Sequence, residues 1–493
     1  MQPRTGRLTL RHLVAALAPP QVRAQAASVP EAEIRTTVVD SRRAGPGSLF
    51  VALQGERHDG HDFIPHALDR GAVAIIAQRA PAGSGCVTLS LVGETPGAGP
   101  LPDRAPLCLI VPDSLAALQQ AAAYWRRQHD VRVIGITGSI GKTTSKEIVA
   151  AILSQRYHTL KNEGNYNNEI GLPLTLLHLR DEHERVVLEM GMYDLGEIAQ
   201  LAEIARPQVG LVTNVGPSHL ERLGTIERIA RAKAELPQAL PPAAEGGVVI
   251  LNADDQRVRA MSAQTSAQVF YYGLKAGADL WASDIESEGL EGIRFRFHYQ
   301  HETIHAQLPL LGRHSVHTAL RGAAVGLVEG LDWTEIMSGL RDQSAQLRLV
   351  AVPGPQDSTI LDDTYNSSPA SCIAALNLLA ELPAQQPSAR KVAVLGDMYE
   401  LGDFEQEGHR IVGRRVKDTT DLLVAVGRLG RIIGQEALES GMAPEAVHMV
   451  EDNARAIELL RGLVQPGDQL LIKGSRGMEM EEIVVALQKG DLP

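Results

Sequence analysis

The run TGSIGKTT at residues 137–144 follows the apolar stretch VRVIGIT and opens the helix-forming SKEIVAAIL. A strand, a glycine turn, Lys-Thr and a helix are the parts of a phosphate cradle. Backbone N–H groups and the positive end of the helix face the phosphates, an ammonium adds charge, and a hydroxyl reaches Mg²⁺. Thr137, Gly138, Ser139, Ile140, Gly141, Lys142, Thr143 and Thr144 are therefore candidate nucleotide contacts, with Lys142 on the phosphates and Thr143 on the metal. The match to G-x-x-x-x-G-K-[ST] is incomplete: Ile136 stands in the first glycine's place, and Gly135 comes one residue early. Alone, the segment supports an ATPase-type site and no particular reaction.

Two more groups point to the same place. Glu189 closes the strand-like RVVLEM, and His219 follows VGLVTNV in NVGPSHLERLG. Open α/β sheets bind ligands outside the carboxyl ends of their strands, so three predicted strands deliver polar groups to one edge. A carboxylate and an imidazole beside phosphate oxygens suit a divalent cation. Lys233 lies seven residues after Ile226 in TIERIARAKAELPQAL, on the apolar face of a predicted helix. A lysine there either snorkels outward, or is held with a lowered pKa and reacts or meets a metal-phosphate centre.

The elements that must position these groups divide a 493-residue chain, too long for one core. Residues 1–112 carry the short strands TTVVD, SLFVAL, AVAIIA and LCLIV, and the Gly/Pro-rich stretch from Pro81 to Pro106 reads as a surface loop. Residues 113–345 alternate apolar runs with helices, as a buried parallel sheet requires, with an antiparallel addition near 280–310. Residues 346–493 restart the rhythm with STILDD, KVAVLGD, DLLVAVG, AVHMV and QLLIKG, a smaller Rossmann-like unit. The expected fold class is α/β in three domains.

A net charge of −12 argues against a nucleic-acid or anionic-membrane partner. Three cysteines without C-x-x-C spacing fit a reducing cytoplasm rather than a disulfide framework. No run of about 18 apolar residues suggests a membrane span, and the N-terminus reads as an amphipathic helix of a soluble enzyme.

TGSIGKTT, GNYNNEIGLPLTLL, LEMGM, NVGPSHLERLG, RAKAEL, LNADD, LLGRH, LDDTYNSSP, LGDMYELG and KGSRGM stand in the order found in the Mur ligases, which the chain resembles from about Asp40 to its end. The likeness is strongest to the members that add D-alanyl-D-alanine. The pair LDDTYNSSP and LGDMYELG carries it, and the D-N-P-R motif of the ligase adding the third amino acid is absent.

The resemblance implies an N-terminal domain for the UDP-N-acetylmuramoyl-peptide, a central ATP-binding domain and a C-terminal ligase domain. It also implies a monomer that uses ATP and two Mg²⁺ to join D-alanyl-D-alanine to UDP-N-acetylmuramoyl-tripeptide. It gives Lys142 and Thr143 the phosphates, Thr143, Glu189 and His219 the metal, and Lys233 a carbamate that also supports metal. Arg348 and Asp363 would approach the nucleotide. Ser41 and Arg42, in the sequence DSR, would serve the uridine nucleotide. Asn165, Asn167 and Asn168 would line the muramoyl-peptide side, Tyr365 and Asn366 would approach the nucleotide or the incoming amine, and Lys473, Ser475 and Arg476 the incoming dipeptide or its phosphate chemistry. Ser315 and Thr318 depart from the asparagines that the family often carries after G-R-H, near adenine. The rival readings are the third-residue ligase, a folylpolyglutamate-type ligase, and a P-loop ATPase switch that makes no bond.

Overall fold

The apolar runs become strands because their alternate residues find cover on opposite faces of a sheet. The computed structural model describes residues 6–19, 29–55, 58–81, 85–92, 106–218, 220–342, 349–384 and 386–488. Among these residues the long strands form three sheets, each flanked by helices.

The first sheet has the order β1-β2-β3-β5-β4, all parallel, from Thr36–Val38, Ser48–Val51, Ala72–Ala77, Val87–Ser90 (β4) and Leu107–Ile110 (β5). β4 lies within the stretch expected to be loop. Its β-branched and apolar VTLS pairs along β5 and buries Leu89, so local pairing wins over the surrounding glycine and proline. Residues 93–105 of that stretch lie outside the described residues. One face of this sheet shares a core with the helices Leu10–Leu17 and Ser114–Arg127, joining the first unit to the second.

The second sheet has the order β14-β13-β12-β11-β10-β9-β6-β8-β7. Its strands are β6 Arg132–Thr137, β7 Thr159–Lys161, β8 Arg185–Glu189, β9 Val209–Val212, β10 Val248–Asn252, β11 Gln268–Gly273, β12 Leu280–Ser287, β13 Ile293–Tyr299 and β14 Glu302–Leu308. It is parallel from β7 to β12 and antiparallel beyond. On β6, Val133 faces the core holding the helix Ile226–Ala239, while Ile134 and Ile136 face the helices Lys142–Leu153 and Val316–Val328.

The early glycine of the phosphate-loop run has a packing role. Gly135 pairs with Gly210 on β9, and a Cβ at Gly135 would meet Leu236 Cδ1 at 3.0 Å. A Cβ at Gly210 would meet Leu240 Cδ1 at 2.9 Å. Two bare backbone positions side by side thus let the helix carrying Lys233 press onto the sheet.

The third sheet has the order β15-β16-β20-β17-β18-β19, from Val350–Pro353, Thr359–Asp362, Gln469–Lys473 (β20), Lys391–Leu395 (β17), Leu422–Val426 (β18) and Val447–Val450 (β19). Only β15 runs antiparallel, at the edge. No helix among the described residues is long and apolar enough to cross a membrane.

At the start of the second sheet, Arg132 and Arg185 are register partners on β6 and β8, and each donates to the buried Glu329 at 2.6 Å. The Arg185 guanidinium also covers the Tyr157 ring at 3.7 Å. This ion triad ties the end of the helix Val316–Val328 to two strands at the edge opposite the phosphate loop. Removing one partner of a buried ion pair leaves uncompensated charge. Because the arginines are partly solvated, we expect Glu329→Gln to lose about 2 to 3 kcal/mol, below the range for wholly buried pairs. Urea unfolding should show the lower midpoint, while turnover per folded molecule stays unchanged.

Candidate active site

The phosphate loop leaves β6 at Thr137 and enters the helix Lys142–Leu153 through Gly141, whose φ of +80° is open to glycine at little cost. Gly138 sits at φ +147°, and a Cβ there would fall 1.9 Å from Thr213 Oγ1. The loop is therefore pressed against the segment that follows β9.

That segment holds the loop's backbone. The Asn214 side chain accepts from Ile140 N–H through Oδ1 and donates to Ile140 C=O through Nδ2, each at 3.0 Å. Thr213 Oγ1 donates to the same carbonyl at 2.7 Å. Ser139 exchanges hydrogen bonds with Gly216. From the other side, buried Arg321 donates to Gly141 C=O at 3.2 Å and to Ser145 Oγ at 2.7 Å. Asn214 and Arg321 were missed by sequence reasoning. The available signals were an asparagine directly after a strand that ends at the loop, and an arginine on the apolar face of LRGAA.

Thr137 sits at the base of the loop. Its hydroxyl donates to Met190 C=O at 3.0 Å, fully buried, so it supports the loop from below and does not line the cleft. Lys142 folds back onto its own loop, with Nζ donating to the carbonyls of Gly138 at 2.8 Å and Ser139 at 3.4 Å. Thr143 Oγ1 donates to Glu189 Oε2 at 2.6 Å, and Asn167 Nδ2 donates to Glu189 Oε1 at 2.8 Å. Thr143 and Glu189 are hard oxygen donors side by side at a helix N-terminus that would face phosphate, a donor set that fits Mg²⁺.

Lys233 is buried on its helix. Burial pushes its pKa well below the ordinary lysine value, and the nearby charge of Lys142 adds to the shift. His219 and Arg348 lie outside the described residues. Ser218, just before His219, donates to Ser139 Oγ at 3.0 Å, so the chain passes over the phosphate loop there.

The phosphate loop, residues 213–218 and Glu189 border a cavity of about 1090 Å³ between the second and third units, and Lys233 is not among its lining residues. From the second unit it is lined by Ser139–Thr144, Asn165, Asn167, Asn168, Glu189, Ser315 and Thr318. The third unit contributes Asp363, Tyr365, Asn366, Lys473, Ser475 and Arg476. Several of these side chains are already engaged. Asn168 Oδ1 accepts from Gly171 N–H at 2.9 Å and starts a helix. Ser315 Oγ donates to Leu311 C=O at 2.6 Å.

Lys473 is fully buried, with Nζ donating to Asp363 Oδ2 at 2.6 Å and to Asn366 C=O at 2.8 Å. It pins the DDTYN loop. Ser475 Oγ accepts from Tyr399 N–H at 2.9 Å. Arg476, largely exposed, stands 5.5 Å from the Tyr365 ring centre and offers a cation to the cleft. In LGDMYELG, Asp397 caps the helix Gly427–Glu439 by accepting from Leu429 and Gly430 N–H, whereas Tyr399 and Glu400 line the cleft.

His314 and His317 are both lowered to about 4, chiefly by burial and then by Arg321. Both are therefore neutral at ordinary pH, and the buried Nδ1 of His317 has no hydrogen-bond partner among the described residues.

Ser41 and Arg42 do not border this cavity. Ser41 Oγ meets His66 Nδ1 at 3.0 Å, and exposed Arg42 pairs with Asp40 in a bidentate ion pair. Their neighbour Arg43 donates to Tyr166 Oη at 2.6 Å, joining the first unit to the loop that carries Asn165 and Asn167.

Comparison with known proteins accounts for this arrangement across almost the whole chain. The model of the Mur ligase family catalytic domain matches residues 33–126, the Mur ligase middle domain residues 136–326, and the Mur ligase glutamate ligase domain residues 347–476. The UDP-N-acetylmuramoyl-tripeptide–D-alanyl-D-alanine ligase of Synechocystis is 36% identical over 465 residues, covering 92% of each chain. The crystal structure of MurF from Acinetobacter baumannii superposes with a TM-score of 0.82 at 30% identity, covering 98% of this chain and 99% of that one. The MurF ligase of Thermotoga maritima, solved with ADP, gives 0.72 at 28% identity over 92% and 97%. With three family domains matched along the chain and a relative 36% identical over 92% of it, this chain belongs to the Mur ligase family.

Proposed function

We propose that the chain is an ATP-dependent ligase joining D-alanyl-D-alanine to the terminal carboxylate of UDP-N-acetylmuramoyl-tripeptide, with release of ADP and phosphate, in peptidoglycan precursor synthesis. The observation that carries the reading is the shared cleft. The phosphate loop and Glu189 stand on one wall, and the Lys473-pinned DDTYN loop stands on the other. The substrates are those in the name of the Synechocystis relative, and ADP is the nucleotide held by the Thermotoga structure.

The chemistry needs activation, because a carboxylate does not condense with an amine in water unaided. An oxygen of the tripeptide carboxylate attacks the γ-phosphorus of ATP, and the bond to ADP breaks, giving an acyl phosphate. The dipeptide amine then attacks the acyl carbon, phosphate leaves with the C–O electron pair, and the amine proton passes to solvent. The protein contributes positioning and charge neutralisation. Lys142 exchanges the Gly138 and Ser139 carbonyls for phosphate oxygens. Thr143 and Glu189, together with His219 and a carbamylated Lys233, would hold two Mg²⁺. A divalent cation held by these residues would supply charge screening for the transferring phosphoryl group.

Arg348 and Asp363 serve the nucleotide. Asn165, Asn167 and Asn168 serve the muramoyl-peptide side, and Ser41 and Arg42 the uridine end. Tyr365, Asn366, Ser475 and Arg476 approach the dipeptide, with Lys473 as their anchor. A cleft walled by two units excludes water from the acyl phosphate.

Lys233 supports the carbamate reading through its burial beside Lys142. A bare ammonium is costly to desolvate there, so the neutral amine is available. It adds to CO₂ with loss of a proton and becomes an oxygen ligand.

Three outcomes test the proposal. Phosphate release should require both the nucleotide-tripeptide and D-alanyl-D-alanine. Equal activity with a free diamino acid would move the chain to the neighbouring ligation step, and turnover without any acceptor would favour an ATPase switch. Lys142→Ala should keep the fold, by circular dichroism, and lose two to three decades of rate, about 3–4 kcal/mol of barrier. Lys233→Ala should lose most activity and regain part of it with added short-chain carboxylates. In the wild type, bicarbonate labelling should give a ¹³C carbamate signal, and an active Lys233→Ala enzyme indifferent to carboxylates would exclude the carbamate.

A further inference from the structure

The Glu189 carboxylate is held by Thr143 and Asn167, and its backbone is held from a third direction. The β7–β8 ladder ends at Lys161 opposite Val187, so the backbone of Glu189, two residues on, has no strand neighbour on that side. The Asn162 side chain takes the neighbour's place. Its Oδ1 accepts from Glu189 N–H at 3.0 Å, and its Nδ2 donates to Glu189 C=O at 3.1 Å. The same Nδ2 donates to Tyr166 C=O at 2.8 Å, so one amide closes on both the strand end and the loop. The partners fix the amide's orientation, since Glu189 N–H needs an acceptor and the two carbonyls need donors. Asn162 is fully buried.

Asn162 is itself held by Lys146. This lysine lies one turn after Thr143 on the phosphate helix and is fully buried. Its Nζ donates to Asn162 C=O at 2.6 Å and to Gly164 C=O at 3.4 Å, and pairs with Glu147 Oε1 at 3.0 Å. Glu147 is bound in turn by Lys161. An ammonium without solvent is expensive to keep, and a methionine of similar volume would fill the space without that cost. What methionine cannot do is hold carbonyls that no ladder satisfies. One helix therefore contacts Glu189 twice, directly through the Thr143 hydroxyl and indirectly from Lys146 through Asn162.

We propose that Lys146 and Asn162 form a clamp that positions the Glu189 carboxylate against Thr143 at the phosphate loop. Both are positioning residues, and the inference rests on the reading of Glu189 as a metal-holding carboxylate. Partners of this kind orient a ligand before the metal arrives, and their loss typically weakens metal binding about ten- to a hundredfold.

The test uses the full chain, with Mn²⁺ and ADP as probes, read by electron paramagnetic resonance and calorimetry. Lys146→Met and Asn162→Ser should each weaken Mn²⁺ binding to the ADP complex about ten- to a hundredfold. ADP affinity measured without metal should not change. The Mg²⁺ concentration for half-maximal ligation should rise by a similar factor, with KM for the tripeptide nucleotide unaltered. Asn162→Ser retains a small polar side chain, and so keeps the test open if Lys146→Met does not fold.

Lower thermal stability with unchanged Mn²⁺ affinity in both variants would overturn the clamp. Glu189→Gln separates the two levels. If it weakens Mn²⁺ binding while Lys146→Met and Asn162→Ser do not, the clamp fails and the metal reading stands. If Glu189→Gln leaves Mn²⁺ binding unchanged, the metal reading fails and the clamp loses its purpose.

Discussion

Ile140 gives both its N–H and its C=O to the side-chain amide of Asn214, a pairing of backbone and side chain that the rest of the site depends on. A loop that is to turn its N–H groups toward an anion must direct its carbonyls elsewhere, and buried carbonyls need donors. Thr213 and Asn214 supply them from the end of one strand, and Arg321 from a helix on the opposite side. The order β9-β6-β8, toward the β7 edge of the sheet, brings these donors together. Preorganisation here is a matter of which hydrogen bonds the resting protein has already made, so that little rearrangement remains when a phosphate arrives.

Charge follows the same logic. The chain carries a net −12, yet Arg321 and Lys473 are buried in the lining of one cleft that Lys142 also borders, and Lys146 and Lys233 are buried on their helices. Lys146 and Lys473 each face a carboxylate and carbonyls, so their charge is absorbed by the fold. Lys233 faces the repulsion of Lys142 instead. His314 feels both Arg321 and Lys473, which helps to keep it neutral. In a chain of net negative charge, Lys142 and Arg321 at one loop focus attraction for a polyanionic ligand there.

Much of this was legible in the sequence, for identifiable reasons. Apolar runs such as VRVIGIT and VGLVTNV announced buried parallel strands because only that environment covers both faces of a strand. The glycines and Lys142–Thr143 announced the loop, since few other backbones need those residue types in that order. The functional part of a hydrogen-bond network was less visible. Nothing in spacing alone tells that Lys473 would turn inward to Asp363, that Thr137 would bond Met190 C=O, or that Asp397 would cap a helix. These depend on which strand lies next to which, and sheet order is not local information. VTLS was misread as loop for the complementary reason: its partner strand lies some twenty residues onward, past a glycine- and proline-rich stretch.

The facing glycines on β6 and β9 carry a consequence of a different kind. Leu236 and Leu240 rest on backbone with no methyl group between, so the height of their helix above the sheet is set by an absence of atoms. Lys233 rides on that helix one turn before Leu236. Gly135 and Gly210 therefore work as a spacer gauge, fixing a side chain they do not touch. A single added carbon at either would lift the helix by a fraction of an ångström, and the lysine with it. The tolerance of the site is in this sense machined into the sheet, at two positions where chemistry has no foothold and only thickness is under control.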